Sequence, residues 1–418
     1  MSIENSVRSF LCGIGEGSKI YFVGETDKNP LSYKAGEPIT FKLKVTSENG
    51  NVSVPYISVH CEGDDGCNSD ETIAANNDGH FYFTTCCKKD GFVRVIAKAL
   101  DENKGIIKEV DVFEGGAGAD TDKIKLATET PVGYFDFWKK LRETASQIPT
   151  EIISEKQIDY KEGYVVKEIF YKTTFGKFLS IILAYPENAK PGTLKMKMMF
   201  MGYGVYKTSP ICLPDCLGVS VNTHDVGNFL TEEEYAELRE VYKGYGFNAE
   251  ENKDPETSYW YKIFTRNMQA FYIFKDHELL NKKDYIFCGG SQGAMQATNM
   301  ALHTGYATRC TIHVPWFCNM WAPEKDGRMR GWHPDTSVAT NYFDTGLAAS
   351  YLTCPVYIEA GLGDYICPPS GEMAMYNSIK SPKMIRFVQN QTHSYFPKNK
   401  QYYTLCDGYD NPDYHYGE

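Results

Sequence analysis

The sequence predicts an α/β protein with an all-β domain in front of it, and two observations support this fold class. Residues 19–112 read as short strands separated by turn-rich segments, whereas beyond about residue 120 apolar strands alternate with amphipathic helices. The chain has 418 residues, of which 42% are hydrophobic and 23% charged, so it exceeds the usual size of one globular domain. We therefore expect two domains, residues 1–118 and residues 119–418.

The first domain is predicted to be an immunoglobulin-like β-sandwich. Turn signals rich in Asp, Asn and Gly, such as Asn49-Gly50, recur at the spacing typical of such sandwiches. The predicted strands are residues 19–23, 39–45, 56–60, 81–85 and 92–99. Residues 115–119, with the sequence GGAGA, are expected to form a flexible linker to the second domain because glycine loosens the backbone.

Several potential metal ligands cluster in the first domain, and we considered a zinc site there. They are His60, Cys61, Cys67, His80, Cys86 and Cys87. No pair has the C-x-x-C spacing of common zinc sites. Buried or unreactive thiols are therefore the favoured interpretation, and we expect no bound metal.

The second domain is predicted to contain a mostly parallel sheet flanked by helices. Its candidate strands are residues 178–184, 196–201, 285–288, 310–314, 356–360 and 384–388. Residues 259–279 and 292–303 are predicted to be helices. Strands that alternate with helices in this way are typical of parallel sheets.

The charge and the cysteine content exclude some classes of partner and predict a location. The net charge of -11 and an isoelectric point near 5.4 oppose binding to nucleic acid or to anionic lipid. No signal peptide or apolar run long enough to span a membrane is seen. Thirteen scattered cysteines favour reduced thiols over a disulfide framework. We therefore expect a cytoplasmic protein.

Gly289, Ser291 and Gly293 form the pattern G-x-S-x-G, which indicates a nucleophilic serine on a sharp turn. The pattern alone also occurs in ordinary glycine-rich bends. Here a short strand ends at Cys288 and a helix starts at about Ala294, which is the context of the nucleophile elbow of α/β-hydrolases. The sequence therefore favours Ser291 as a nucleophile.

A serine hydroxyl needs a base, and in this fold class the acid and the base follow the serine along the chain. The histidines after Ser291 are His303, His313, His333, His393 and His415. The first two lie within a predicted helix and a predicted strand, His333 follows no strand, and His415 lies in a polar tail. His393 comes just after the strand 384–388, where a base is expected to emerge.

Asp364 is the best candidate for the acid because it lies in a loop directly after the strand 356–360. Asp326, Asp335 and Asp344 lie in polar segments with no strand to place them. The oxyanion of a tetrahedral intermediate needs backbone donors, for which we assign the amides of Gln292 and Tyr203. The ring of Tyr203 is also a candidate for substrate contact.

Four segments occur in order along the chain: FDFW at residues 135–138, GGSQG at 289–293, VPWFC at 314–318 and GLGDYICPP at 361–369. In these segments, and from about residue 124 to 400, the chain resembles the acetyl xylan esterase and cephalosporin C deacetylase group, carbohydrate esterase family seven of the α/β-hydrolase superfamily. This resemblance implies a Ser-His-Asp triad of Ser291, His393 and Asp364, with Tyr203 and Gln292 at the oxyanion.

The resemblance also implies a substrate and an assembly. It implies deacetylation of small acetylated carbohydrates and related esters, with no metal or organic cofactor. Closed homo-oligomers, commonly hexamers, are typical of the group. We expect Tyr203, Trp316 and Phe317 to contact the substrate.

Two departures from the family pattern affect the surroundings of the site. Residues 223–227 replace a family Arg-Gly-Gln segment, and Ser394 stands where glutamate usually follows the catalytic histidine. We interpret His224 as a structural substitute for the lost arginine rather than as a second base. These departures put substrate specificity and assembly in doubt.

Two other functions remain open at this point. An acyl-CoA thioesterase or acyltransferase also combines a β-sandwich with an α/β-hydrolase domain. The other alternative is a non-catalytic carbohydrate-binding protein. The chain has 30 Tyr, 23 Phe and 5 Trp, and the faces of these aromatic rings can stack on sugars.

Overall fold

Two four-stranded antiparallel sheets packed face to face form the first part of the computed structural model, which describes residues 19–411. One sheet contains β1 (Ile20–Thr26), β2 (Ile39–Ser47), β3 (Gly50–Asn51) and β6 (His80–Thr85). The other contains β5 (Asn68–Ala74), β4 (Tyr56–Gly63), β7 (Gly91–Leu100) and β8 (Phe113–Ala119), in that order. The five predicted strands of this part are all present.

Alternating burial explains why the two sheets pack together. In β2 and β4 every second side chain is buried, including Phe41, Leu43, Ile57 and Val59. Residues of a strand point alternately to opposite faces, so this pattern gives each sheet one apolar face. The two faces share one hydrophobic core. The more specific designation of this sandwich as immunoglobulin-like stays a prediction.

The expected linker is wrong, because residues 115–119 belong to strand β8. All residues of β8 are buried, and the strand pairs antiparallel with β7. Two of its glycines are required by crowding: a Cβ on Gly115 would lie 2.2 Å from Oε1 of Gln389, and a Cβ on Gly116 would lie 2.6 Å from the carbonyl oxygen of Leu362. The glycine-rich sequence therefore allows a close approach between the two parts.

The second part is built on a ten-stranded sheet with a parallel centre. From one edge to the other, the strands are β18 (Tyr402–Asp407), β17 (Lys383–Val388), β16 (Val356–Gly361), β15 (Arg309–His313), β14 (Leu280–Gly290), β12 (Leu194–Phe200), β13 (Cys216–Val221), β11 (Leu179–Pro186), β10 (Tyr164–Tyr171) and β9 (Ile152–Gln157). Strands β12 to β17 run parallel to one another, and the outer strands pair antiparallel. The six strands predicted here are present.

Helices connect and cover these strands. They are α1 (Tyr134–Ser146), α2 (Glu232–Val241), α3 (Tyr259–Phe274), α4 (Gln292–Thr304), α5 (Ala322–Asp326), α6 (Val338–Asn341), α7 (Thr345–Ala349) and α8 (Pro369–Ser378), with short 3₁₀ turns at Thr121–Lys123 and Glu251–Lys253. In the part of the chain that the structure describes, no helix combines the length and the apolar character that crossing a membrane would require.

The sheet order brings three candidate residues to one edge. Ser291 follows β14, while Asp364 and His393 come shortly after β16 and β17. These strands are parallel, so their carboxyl ends lie at the same edge of the sheet. The fold therefore collects all three side chains at one place.

Candidate active site

Ser291 lies on a strained turn between strand β14 and helix α4. Its backbone has φ 56° and ψ -121°, a conformation that a non-glycine residue rarely adopts. The two flanking glycines permit this turn: a Cβ on Gly289 would lie 2.4 Å from the carbonyl of Gly293, and a Cβ on Gly293 would lie 2.2 Å from the carbonyl oxygen of Phe200. The G-x-S-x-G pattern is therefore a packing requirement of this elbow.

Ser291, His393 and Asp364 form one continuous hydrogen-bonded chain. Oγ of Ser291 lies 2.9 Å from Nε2 of His393, and Nδ1 of His393 lies 2.9 Å from Oδ2 of Asp364. The second carboxylate oxygen of Asp364 accepts the backbone N–H groups of Ile366 and Cys367 at 2.8 and 2.9 Å. The carboxylate is buried and fixed, so it can hold the imidazole with Nε2 facing the serine.

Other histidines of the described chain have structural surroundings. His303 stacks on Trp138 with ring centroids 4.0 Å apart, and its Nε2 lies 3.1 Å from the hydroxyl of Tyr134. Burial lowers the pKa of His303 well below its ordinary value and the pKa of His313 to about 3. Nδ1 of His333 contacts the carbonyl of Pro334. His415 lies outside the described residues.

His224 is buried in a cluster of tyrosines rather than paired with the neighbouring Asp225. Its Nδ1 lies 2.8 Å from the hydroxyl of Tyr259, and burial lowers its pKa to about 3. Arg266 of helix α3 donates to the carbonyl of Thr223 at 2.7 Å. An arginine from another element thus supports the segment that departs from the family pattern.

The loop after strand β12 lies against the serine elbow. A Cβ on Gly202 would lie 4.0 Å from the Cβ of Ser291. The hydroxyl of Tyr245 accepts the N–H of Gly204 at 2.9 Å and donates to Oε1 of Gln292 at 2.8 Å, so it ties this loop to helix α4. The assignment of the Tyr203 and Gln292 amides to the oxyanion stays a prediction.

Aromatic side chains form a wall beside this loop. The ring of Tyr203 stacks on Tyr245 at 4.2 Å and meets Trp332 edge to face at 4.8 Å. Trp316 packs against both Tyr203 and Trp332, and its backbone N–H donates to the carbonyl oxygen of Ser291, with 3.3 Å between nitrogen and oxygen. Trp332 is 38% exposed, whereas Trp316 and Phe317 are 2% exposed.

The three residues predicted to contact the substrate differ in their surroundings. Trp316 and Phe317 line a cavity that also touches Cys367, three residues after Asp364. Tyr203 is half-buried on the aromatic wall. Trp332, which sequence reasoning did not select, presents more surface than either of the buried rings.

One group of potential metal ligands within the described residues shares Asp364 and His393 with the triad. Ligand atoms of Asp364, Cys367 and His393 lie within 4.8 Å of one another. His393 and Asp364 already bind each other by a hydrogen bond, so the arrangement fits acid-base chemistry without a further group. In the sandwich, the sulfur atoms of Cys61 and Cys67 lie 3.9 Å apart.

The sandwich also contributes residues that sequence reasoning missed. Arg94 of strand β7 donates from Nε to the carbonyl of Gly363 at 3.1 Å, next to Asp364. The backbone N–H groups of Glu114 and Gly116 donate to the side chains of Asn390 and Gln389, both at 2.9 Å. No sequence motif predicts these contacts, because they join residues that are more than 260 positions apart in the chain.

Comparisons with known proteins find similarity to acetyl xylan esterases and to an acetyl esterase. Residues 335–406 match the family model described as acetyl xylan esterase (AXE1). The acetyl esterase Axe7A of Xylanibacter ruminicola is 23% identical over 290 residues, which are 64% of this chain and 64% of the relative. The alignment thus leaves over a third of that relative uncovered.

Two solved structures share the fold. Acetyl xylan esterase from Paenibacillus sp. R4 has a TM-score of 0.52 and 18% identity, covering 66% of this chain and 94% of its own. Acetyl xylan esterase 1 from Thermoanaerobacterium sp. JW/SL YS485 has a TM-score of 0.51 and 15% identity, covering 66% and 93%.

The serine elbow on a mostly parallel sheet, together with these structural matches, defines an α/β-hydrolase fold. This part of the predicted fold class is confirmed. Within that class, the chain is similar to members of the acetyl xylan esterase family, whose model matches residues 335–406. The family resemblance seen in the sequence is thereby confirmed as well.

Proposed function

We propose that the protein is a serine esterase that removes acetyl groups from carbohydrates. The hydrogen-bonded chain from Ser291 through His393 to Asp364 is the observation that carries this proposal. The match to the family model supports an ester as the substrate, and the names of the similar proteins support an acetyl ester of a xylo-oligosaccharide or a similar small molecule.

The proposed reaction passes through an acyl-enzyme. Oγ of Ser291 attacks the acetyl carbonyl carbon while Nε2 of His393 takes the hydroxyl proton. Asp364 stabilises the resulting imidazolium, and the amides of Tyr203 and Gln292 donate to the oxyanion. The imidazolium then protonates the departing sugar oxygen. Water, deprotonated by His393, then attacks the acyl carbon, and the bond from this carbon to Oγ of Ser291 breaks. His393 returns the proton to Oγ, so acetate leaves and the serine is restored.

Replacement of the serine tests the proposed nucleophile. We expect Ser291→Ala to lower kcat for p-nitrophenyl acetate at least about 10⁴-fold, because no other group replaces Oγ. The control is Ser378→Ala, which removes a hydroxyl at the C-terminal end of helix α8 and should keep full activity. Hydrolysis by correctly folded Ser291→Ala at the wild-type rate would defeat the proposal.

A substrate series tests the acyl group and the carbohydrate. We expect kcat/KM to be highest for acetyl esters and to fall with each lengthening of the acyl chain of nitrophenyl esters. Acetylated xylo-oligosaccharides and cephalosporin C, assayed by acetate release, are the expected natural-type substrates. A preference for long acyl chains would instead favour an acyl-CoA thioesterase, and failure of Ser291 to react with an organophosphonate would favour a non-catalytic carbohydrate-binding protein.

The assembly and the location belong to the same proposal. We propose a homo-oligomer in the cytoplasm, with an N-terminal domain of the immunoglobulin-like class. Light scattering on the purified protein measures the mass of the assembly, and a monomer would contradict the proposed homo-oligomer. Cell fractionation measures the location, and recovery outside the cytoplasm would contradict the proposed location.

A further inference from the structure

The loop that carries the candidate acid, Asp364, contacts the β-sandwich as well as its own sheet. Gly363 precedes Asp364, and its carbonyl oxygen accepts the Nε–H of Arg94 at 3.1 Å. A Cβ on Gly363 would lie 2.0 Å from the carbonyl oxygen of Glu114. Strand β8 and the acid loop are therefore in direct backbone contact, which only glycine permits.

Arg94 itself is held in a fixed position. It is 3% exposed, donates from Nη1 to Oε1 of Glu62 at 2.7 Å and from Nη2 to Glu114. Its guanidinium carbon lies 5.0 Å from the ring centroid of Tyr365, the residue after Asp364. A planar guanidinium with this many partners has little freedom, so it can act as a rigid support.

The loop that carries the candidate base is tied to the same strand of the sandwich. The side chain of Asn390 accepts the N–H of Glu114 at 2.9 Å. The side-chain amide of Gln389 exchanges two hydrogen bonds with the backbone of Gly116, at 2.9 and 3.0 Å. The N–H of Gly363 donates to the carbonyl of Gln391 at 3.0 Å, which joins the two loops directly.

We propose that Arg94, a residue of the β-sandwich, is a positioning residue that holds Asp364 in line with His393. The inference rests on the proposed function of the triad. An error of about 1 Å in the placement of catalytic groups can cost about 100-fold in rate. The guanidinium acts on the reaction through the backbone of Gly363 and does not touch the substrate.

Substitution of Arg94 by lysine tests whether its positive charge or its hydrogen bond to Gly363 matters for activity. Arg94→Lys keeps a positive charge beside Glu62 and Glu114, but it lacks the Nε–H that meets the Gly363 carbonyl. We expect kcat for p-nitrophenyl acetate to fall about 10- to 100-fold with KM within about twofold of the wild type. A matched control is Val59→Ala, which weakens the sandwich core without touching either loop.

A spectroscopic readout makes the test independent of esterase activity. The proton between Nδ1 of His393 and Asp364 should give a downfield NMR resonance in the wild type and in Val59→Ala. We expect Arg94→Lys to broaden or abolish this resonance. If the wild type shows the resonance but hydrolyses no ester, the proposed function fails and the resonance still decides the role of Arg94.

A second variant covers the case in which Arg94→Lys does not fold. Arg94, Glu62 and Glu114 form one largely buried ionic group, and replacing such a group by apolar residues of similar volume is often tolerated. Arg94→Met combined with Glu62→Met and Glu114→Met should therefore fold while lacking the donor to Gly363. The same losses of kcat and of the resonance are expected. The proposal is overturned if either folded variant matches Val59→Ala in both readouts.

Discussion

At the scale of single residues, the hydrogen-bonded chain of Ser291, His393 and Asp364 depends on side chains from distant parts of the sequence. Tyr245 ties the loop after strand β12 to helix α4 through its bond to Gln292. Arg94 donates to the carbonyl of Gly363, next to Asp364. Buried groups close to this chain therefore also influence the protein.

Glu372 is a buried carboxyl group that sequence analysis had no reason to select. It lies on helix α8, has no exposed surface, and its two carboxyl oxygens have no hydrogen-bond partner among the described residues. Burial first, and then the negative charge of Asp364, raise the pKa of Glu372 well above its ordinary value. The side chain is therefore neutral in the folded protein at a pH at which it would be ionised when unfolded.

We expect Glu372→Gln to stabilise the protein increasingly as the pH rises above about 4.5. In the wild type the unfolded state loses a proton above this pH while the folded state keeps it, so ionisation favours unfolding. Glutamine has a similar shape and does not titrate. The gain in unfolding free energy should grow by at most about 1.4 kcal/mol per pH unit.

Urea unfolding of both proteins at pH 5, 6, 7 and 8 measures this difference. The control is Glu233→Gln on helix α2. The side chain of Glu233 is exposed to solvent in the folded protein as well as in the unfolded protein, so no pH-dependent difference is expected. A stability difference between wild type and Glu372→Gln that stays constant over this range would contradict the assigned neutral state.

The meeting of Ser291, Asp364 and His393 at one edge of the sheet could be predicted from the sequence. Each of them follows a recognisable strand, and their order along the chain is the one that the fold requires. Tyr245 and Arg94 could not be predicted as supports, because no motif marks them and their contacts cross the fold.

At the scale of elements, the strands that could be predicted have a clear apolar pattern. Strands β2 and β4 alternate between buried and half-buried positions, and β16 is entirely buried, so hydrophobicity reveals them. Strands β5 and β9 were missed because nearly all of their residues are exposed and they carry little apolar signal. They are edge strands, whose pairing is set by the neighbouring strand.

Strand β8 was misread for the opposite reason. Its sequence FEGGAGA has the composition of a flexible linker, yet all of it is buried. The glycines serve close packing, since side chains at these positions would collide with Gln389, Leu362 and Thr121. Composition alone cannot distinguish a glycine that provides flexibility from one that provides space.

At the scale of the whole molecule, the two parts share a charged and largely buried contact. Arg328, from the segment after helix α5, donates to the carbonyl of Asp90 at 2.8 Å and to its carboxylate at 2.6 Å. Asp64 of the sandwich accepts the N–H of Met329 at 2.8 Å. Burying such groups between the two parts makes their separation costly.

We therefore expect the sandwich and the α/β part to unfold together. Differential scanning calorimetry of the full chain should show a single transition, in which the calorimetric and van't Hoff enthalpies agree. Arg328→Met should lower the transition temperature or split the transition, because it leaves Asp64 buried without its cation.

A matched control for this experiment is Arg239→Met on helix α2, whose salt bridge with Glu232 is exposed. It should leave the calorimetric profile nearly unchanged. Two separate transitions in the wild-type protein would show that the contact between the parts is too weak to couple them.

The contact of Gly363 with Glu114 has a consequence for building hybrids. An α/β module of this type joined to a foreign sandwich would meet a different backbone under its acid loop, even if every reacting side chain were kept. Such a chimera should regain its rate only when the foreign sandwich places its backbone equally close to Gly363. The unit that can be exchanged between proteins is therefore the pair of modules, and not the hydrolase alone.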